Sequence, residues 1–94
     1  EGYESNYWFN MVSFNEEVME KYSLRELVEF FASKGIQTRP MWTLLNQMPM
    51  FKDCFSMPQQ KSEALHRASL SIPSSTCIEA DDIAFVVNEI KGLV

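Results

Sequence analysis

The chain has 94 residues, of which 46% are hydrophobic and 22% charged, and its formal net charge is −5. This length predicts one domain with a thin core, and the apolar content excludes intrinsic disorder as a description of the whole chain. The excess of acidic residues argues against a nucleic-acid or anionic-membrane surface, because such surfaces need clustered positive charge.

The first residues, the longest apolar stretches and the two cysteines indicate where the protein resides and whether the chain is part of a longer one. No stretch approaches the ~20 apolar residues of a membrane span, and no basic-then-apolar leader opens the chain. It begins with Glu1 rather than Met, which indicates a piece of a longer protein. Cys54 and Cys77 are too few for a disulfide framework and match no zinc spacing. They favour two thiols in a reducing cytoplasm over a redox or disulfide role.

The first predicted element is a strand at residues 7–13, which are mainly aromatic and β-branched. The two faces of this strand do not alternate cleanly between apolar and polar residues. We therefore expect both faces to be covered, one by helices and the other by something outside this chain.

A helix follows, and its limits are marked by local signals. Ser23 and Glu26 form a capping box at its start. Lys34 lies in its last turn, and Gly35 fits a left-handed cap at its end. Its apolar face, at helical spacing, consists of Leu24, Leu27, Val28 and Phe31.

The middle of the chain combines a short strand with an irregular segment. Residues 36–39 predict a strand that ends at Pro40, because proline favours extended geometry in the residue before it. Residues 41–58 are rich in methionine and interrupted by proline, with one helical turn expected at residues 42–46. Long apolar segments of this kind are more often functional surfaces or interfaces than plain connections.

The last third of the chain predicts helix, strand and helix. The first helix covers residues 59–68, with Ala64, Leu65 and Ala68 directed inward. Alternating residues 69–73 predict a strand. The terminal helix begins near residue 81 and ends at residue 91, and its apolar residues are Ile83, Val86, Val87 and Ile90. Three short strands with three helices predict a two-layer α+β domain.

Three polar groups have a functional and a structural interpretation each. Glu79, Asp81 and Asp82 form either a cation site or, as we favour, the acidic first turn of a helix. His66 is either a general base or, preferably, part of a solvated helix surface, since no nucleophile stands at a set spacing. Residues 74–76 form either a phosphate cradle or, preferably, a turn, because no glycine lets a phosphate approach closely.

The surroundings of the lysines indicate whether the chain alone could be an enzyme. A Schiff-base lysine needs a desolvated pocket or a cationic neighbour, and no lysine here plainly has either, so the chain by itself does not look like a complete enzyme. The lysines are Lys21, Lys34, Lys52, Lys61 and Lys91. Arg39 enters an aromatic loop, where its guanidinium is suited to bind a carboxylate or phosphate or to stack on Trp42. A structural ion pair of Arg39 is the equally weighted alternative.

Five segments carry a resemblance that covers nearly the whole chain. They are SNYWFN (5–10), GIQTRPMW (35–42), QMPMF (47–51), LSIPSS (70–75) and DDIAFVVNEI (81–90). In this order and spacing they resemble the C-terminal small domain of the DegT/DnrJ/StrS family of pyridoxal-phosphate-dependent nucleotide-sugar aminotransferases.

The resemblance implies the small α+β domain of a fold-type I aminotransferase, with a three-stranded sheet and helices packed on it. Residues 1–94 would be a single domain, and the cofactor lysine and its partner Asp would belong to a large domain absent here. It therefore implies no catalytic, cofactor or metal residue in this chain. Substrate-binding roles fall on Arg39, Trp42 and Asn46, in a loop that lines the substrate side of the cleft in such enzymes. A histidine often stands at the position of Asn46, which retains hydrogen bonding but not acid–base chemistry.

For the full-length parent, the resemblance implies amino transfer, from glutamate, to a keto nucleotide sugar in surface-polysaccharide or amino-sugar biosynthesis. Pyridoxal phosphate would be the cofactor of a homodimeric parent, and the 94-residue chain alone would be inactive. Its partners would be the large domain and the nucleotide sugar, with no nucleic acid and no membrane. The alternative is a free-standing α+β module that binds a ligand or another protein.

Overall fold

A computed structural model describes residues 2–94, and these form a small α+β fold. In chain order its regular elements are β1 (Asn10–Ser13), α1 (Glu16–Lys21), α2 (Leu24–Ser33), β2 (Arg39–Pro40), 3₁₀ turns at Leu45–Gln47 and Pro49–Phe51, α3 (Gln60–Ala68), β3 (Ser69–Ile72) and α4 (Ala80–Lys91). The α+β prediction and the three-stranded sheet are confirmed, and the structure adds a fourth helix.

The sheet has the order β1–β3–β2, and both pairs are antiparallel. Leu70 at its centre is buried and packs with the helices. Residues opposite one another in a sheet share a face, and neighbours in a strand alternate between faces. Ser71 is paired with Met11 on one side and Arg39 on the other, so these three lie on the face away from Leu70. We call this second face the open face.

The core lies between the sheet and three of the helices. Its buried residues come from α1, α2, β3, α4 and the segments that follow α2 and α4, and they are Val18, Leu27, Phe31, Ile36, Leu70, Val86 and Leu93. Leu24 and Val28 are partly buried against this cluster. The predicted apolar face of α2 is therefore confirmed.

The start of α2 is fixed by the predicted capping box. The Ser23 backbone N–H donates to Glu26 Oε2 at 2.8 Å, and the Glu26 N–H donates to Ser23 Oγ at 3.3 Å. The Ser23 backbone, followed by its hydroxyl, lowers the pKa of the Glu26 carboxyl. Since this folded-state pKa is lowered, the box stabilises the helix fully above the ordinary carboxyl pKa. That stabilisation is lost as the pH falls through the lowered value.

The end of α2 is a Schellman motif centred on Gly35. The Ile36 N–H donates to the Phe31 carbonyl at 2.9 Å, and the Gly35 N–H donates to the Ala32 carbonyl at 3.0 Å. Gly35 has a φ of +77°, which residues with a Cβ rarely adopt. The motif also directs Ile36 into the core beside Phe31. The glycine cap predicted from sequence is confirmed.

We expect Gly35→Ala to lower the free energy of unfolding by about 1–2 kcal/mol, the cost of a left-handed residue with a Cβ. No atom lies within 4 Å of the added Cβ, so backbone strain alone causes the loss. Gly92→Ala is the matched control, since Gly92 has a φ of −70° and its Cβ would make ordinary 3.5 Å contacts. It should be neutral or stabilise by up to about 1 kcal/mol. Urea denaturation of both variants measures the difference, and equal effects would contradict this explanation.

The N-terminal third differs from the sequence prediction in two ways. The strand predicted at residues 7–13 begins only at Asn10. The Tyr7 N–H donates to Ser5 Oγ and the Trp8 N–H donates to Asn6 Oδ1, each at 3.1 Å. These local bonds replace strand pairing. Helix α1 was not predicted. Its signal is Asn15, whose Oδ1 accepts from the Val18 N–H at 3.1 Å, followed by two glutamates.

The middle segment is less regular than predicted. The strand expected at residues 36–39 is reduced to Arg39–Pro40, because Ile36 is taken into the cap of α2. The helical turn expected at residues 42–46 is a 3₁₀ turn at Leu45–Gln47.

The apolar residues of α3 and α4 are more exposed than predicted. In α3 the inward placement of Ala64 and Leu65 is wrong: Ala64 is exposed, and Leu65 is 53% exposed. In α4 Val86 is buried, but Ile83 and Val87 are exposed. Both helices are confirmed, but within residues 2–94 no element fully covers these apolar side chains.

Candidate functional site

Arg39 lies in β2, held by the pairing of this strand with β3. Its side chain is exposed and belongs to the open face by register. The ion pairs among residues 2–94 are Arg25–Glu29 and Lys34–Glu89. The predicted alternative of a structural ion pair for Arg39 therefore finds no support in the described part of the chain.

Trp42 follows β2 and contacts the segment that precedes β1. Its ring meets the Phe9 ring edge-on, with centroids 5.7 Å apart, and Phe9 in turn lies 4.5 Å from the Trp8 ring. We call these three rings the aromatic platform. Trp8 is 65% and Trp42 73% exposed, so the platform presents most of its surface outward. Trp42 is one of the predicted site residues. Trp8 and Phe9 were not predicted, and their only signal in the sequence is the aromatic run at residues 7–9.

Asn46 lies in a different place. It lines a cavity of about 490 Å³ together with aromatic and methionine side chains such as Phe51, Phe55 and Met57, and neither Arg39 nor Trp42 lines this cavity. Asn46 Oδ1 is buried and has no hydrogen-bond partner among the described residues. A buried acceptor without a hydrogen-bond partner lowers the stability of the fold. A ligand or partner that donates a hydrogen bond to this amide oxygen would remove that free-energy penalty.

The serines near residue 74 have a structural task. Ser74 Oγ donates to the Trp8 carbonyl at 2.9 Å, and Ser75 Oγ accepts from the Cys77 N–H at 3.2 Å. The preferred interpretation as a turn is confirmed, and the turn also holds the N-terminal segment beside the sheet.

The remaining polar candidates are placed as follows. The Glu79 N–H donates to Asp82 Oδ2 at 3.1 Å at the start of α4, which confirms the interpretation as a helix first turn. In residues 2–94 no group of three or more His, Cys, Asp or Glu could hold a metal ion. His66 is half-buried with Nδ1 unpartnered, so its prediction as solvated surface is wrong for that atom. Cys54 and Cys77 are free and exposed.

The lysines test whether this chain fits pyridoxal phosphate. All five are exposed, and Lys34 Nζ lies 3.4 Å from Glu89 and 5.6 Å from the centre of the Phe30 ring. A Schiff-base lysine needs desolvation or a cationic neighbour, whereas Lys34 has an anionic one. None of the five lysines therefore fits the role of the cofactor's Schiff-base lysine.

The chain matches the model of a known protein family. No helix within residues 2–94 is long and apolar enough to span a membrane. No curated protein matches the chain. Residues 1–91 match the model of the DegT/DnrJ/EryC1/StrS aminotransferase family, in agreement with the resemblance found in the five sequence segments. The chain therefore belongs to the DegT/DnrJ/EryC1/StrS aminotransferase family.

Proposed function

We propose that the chain is the C-terminal small domain of a fold-type I, pyridoxal-phosphate-dependent aminotransferase whose amino acceptor is a keto nucleotide sugar and whose donor is glutamate. The family match over residues 1–91 carries this proposal. Because no lysine of the chain fits the cofactor, a large domain of the same polypeptide supplies the cofactor site. The product serves surface-polysaccharide or amino-sugar biosynthesis.

The exposed apolar surface supports a missing partner domain. The exposed large hydrophobic side chains include those of the aromatic platform, of the loop at residues 45–57 and of α4. Monomeric proteins rarely expose large contiguous apolar patches unless another surface covers them. The large domain is the partner we propose for the loop and for α4.

The proposed roles of the site residues follow from their chemistry. Arg39 offers a fixed fork of donors to a phosphate or carboxylate, and Trp42 offers a flat face for stacking. Asn46 offers a donor and an acceptor to sugar hydroxyls, and its orphaned Oδ1 supports this role. None of the three supplies an acid or base near neutral pH, so their task is to bind and orient the substrate.

If a large domain covers the loop, the isolated chain should self-associate and bind a hydrophobic dye more strongly than an ordinary domain of its size. Replacing Met50 and Phe55, both exposed in this loop, by serine should reduce both properties. Replacing exposed Lys52 and Asp53 by serine in the same loop is the control and should reduce neither. Sedimentation and dye fluorescence measure the effect. A monomeric chain that binds negligible dye would contradict the proposal that a large domain covers this loop.

The full-length parent tests the proposed function directly. We expect it to transfer the amino group of glutamate to a keto nucleotide sugar, and its upstream coding sequence to contain a large domain with a cofactor lysine. The 94-residue chain mixed with pyridoxal phosphate should show no transfer, and no cofactor absorbance should remain after gel filtration. An upstream sequence without such a domain would overturn the proposal and favour the free-standing module.

A further inference from the structure

The segment before β1 is held in a strained conformation. Tyr7 has a φ of +51°, in the left-handed region that residues with a Cβ rarely adopt. The Ser5 and Asn6 side chains accept the N–H groups of Tyr7 and Trp8, and Ser74 from the far end of β3 donates to the Trp8 carbonyl. Strain of this kind persists only where surrounding contacts impose it, and it is frequent at ligand sites.

The conformation brings Trp8 and Phe9 to Trp42 without burying them. Aromatic rings that serve only the core lose most of their exposed area on folding, as Phe31 does here. Trp8 and Trp42 instead keep well over half of theirs. The platform is therefore preformed by backbone and ring contacts, and its outer surface is available to a flat partner.

Strand register and a short separation along the chain place Arg39, a positively charged residue, near this platform. Arg39 precedes Trp42 by three residues and lies on the open face. Arg39 and Met11 both pair with Ser71, and the strand that contains Met11 begins directly after Phe9. Arg39 has no carboxylate partner within residues 2–94. A purely apolar covering would leave this guanidinium buried without a counter-charge, which is strongly unfavourable. An anionic group next to a flat ring system satisfies both features.

We propose that the aromatic platform and Arg39 bind the nucleoside diphosphate part of the substrate. The base stacks on the exposed face of Trp8 or Trp42, and Arg39 donates to the diphosphate. Stacking on tryptophan tolerates any base, while Arg matches phosphate geometry. This inference rests on the proposed function for the nucleotide-sugar substrate, and it adds Trp8 and Phe9 to the residues that bind it.

The test is direct binding of UDP and GDP to the full-length protein by calorimetry, which does not depend on activity. We expect Trp8→Leu and Arg39→Ala each to weaken binding roughly tenfold or more. Arg39→Lys should retain part of the affinity, since it keeps the charge but loses the fork. Tyr22→Leu and Arg25→Ala are the matched controls, since both residues are exposed away from the proposed site, and neither should change the affinity.

A second readout uses the isolated chain, whose two tryptophans both lie in the platform. The NMR signals of both indole N–H groups should shift as UDP is added, until the site is saturated. Uridine alone or inorganic pyrophosphate alone should bind with at least tenfold lower affinity in the same titration. Nucleotide affinity that is unchanged in both variants would overturn the inference even if the parent is an active aminotransferase. A parent that binds UDP through these residues but transfers no amino group would instead refute the proposed function.

Discussion

Phe31→Ala should lower the free energy of unfolding by about 3–5 kcal/mol, the usual cost of removing a buried aromatic ring. Phe31, in α2, is 0% exposed and belongs to the core cluster of residues 2–94 that also includes residues of α1, β3 and α4. It also carries the carbonyl that closes the Schellman motif. The loss is a large fraction of the stability of a domain this small, so the variant should unfold at a much lower urea concentration.

The matched control is Phe55→Ala, because Phe55 is 93% exposed and the same atoms are removed. We expect a change within about 0.5 kcal/mol. If Phe31→Ala is unfolded in water, Ile36→Val provides a graded probe of the same core, with an expected loss of about 0.5–1.5 kcal/mol. Circular dichroism during urea denaturation measures all three. Equal losses at positions 31 and 55 would show that the core lies elsewhere.

Asn46→Ala in the full-length parent should lower kcat/KM for the keto-sugar half-reaction roughly ten- to hundredfold, the usual effect of losing one strong polar contact. The glutamate half-reaction should be nearly unchanged, because glutamate has no sugar hydroxyl to bind. Since Asn46 Oδ1 has no partner within the described chain, its removal should cost little stability. A loss of activity in a fully folded variant would therefore report on binding.

Gln47→Ala is the control, since Gln47 is exposed in the same 3₁₀ turn and should leave both half-reactions intact. Single-turnover rates of each half-reaction make the comparison. Equal losses in both half-reactions, or none in either, would remove Asn46 from the substrate site. Arg39→Ala is less informative in this assay, because Arg39 is part of β2 and its loss can disturb the loop.

Local signals predicted the best-defined parts of the fold. Helix α2 was predicted with its cap, its apolar face and its terminal glycine because each depends on neighbours within a few residues. Helix α1 was missed because it has six residues and buries only Val18, which leaves too short a periodicity. The exposure of Leu65 was not predictable either, because a helical pattern marks an apolar face without saying whether anything covers it.

The candidate site was predictable only in part for the same reason. Pro40 marked the end of a strand and so placed Arg39 at the sheet. The contact of Phe9 with Trp42 is a tertiary contact that depends on strand order, and nothing in the sequence specified that order. The common cleft expected for Arg39 and Asn46 stays a prediction: Asn46 lines a cavity to which Arg39 does not contribute, and the proposed large domain would have to complete a cleft that holds both.

The strand order has a consequence for how the domain assembles. Strand β3 is central and the last of the three in sequence, and β1 and β2 pair with it rather than with each other. Ser13 and Ser69, whose hydroxyls lie 2.7 Å apart, are separated by 56 residues, and closing so long a loop slows folding. The caps of α2, by contrast, are made by residues within a few positions of its ends and do not depend on β3. A nascent chain therefore carries β1 and β2 unpaired until residues 69–72 have left the ribosome, and unpaired strand edges favour aggregation during that interval.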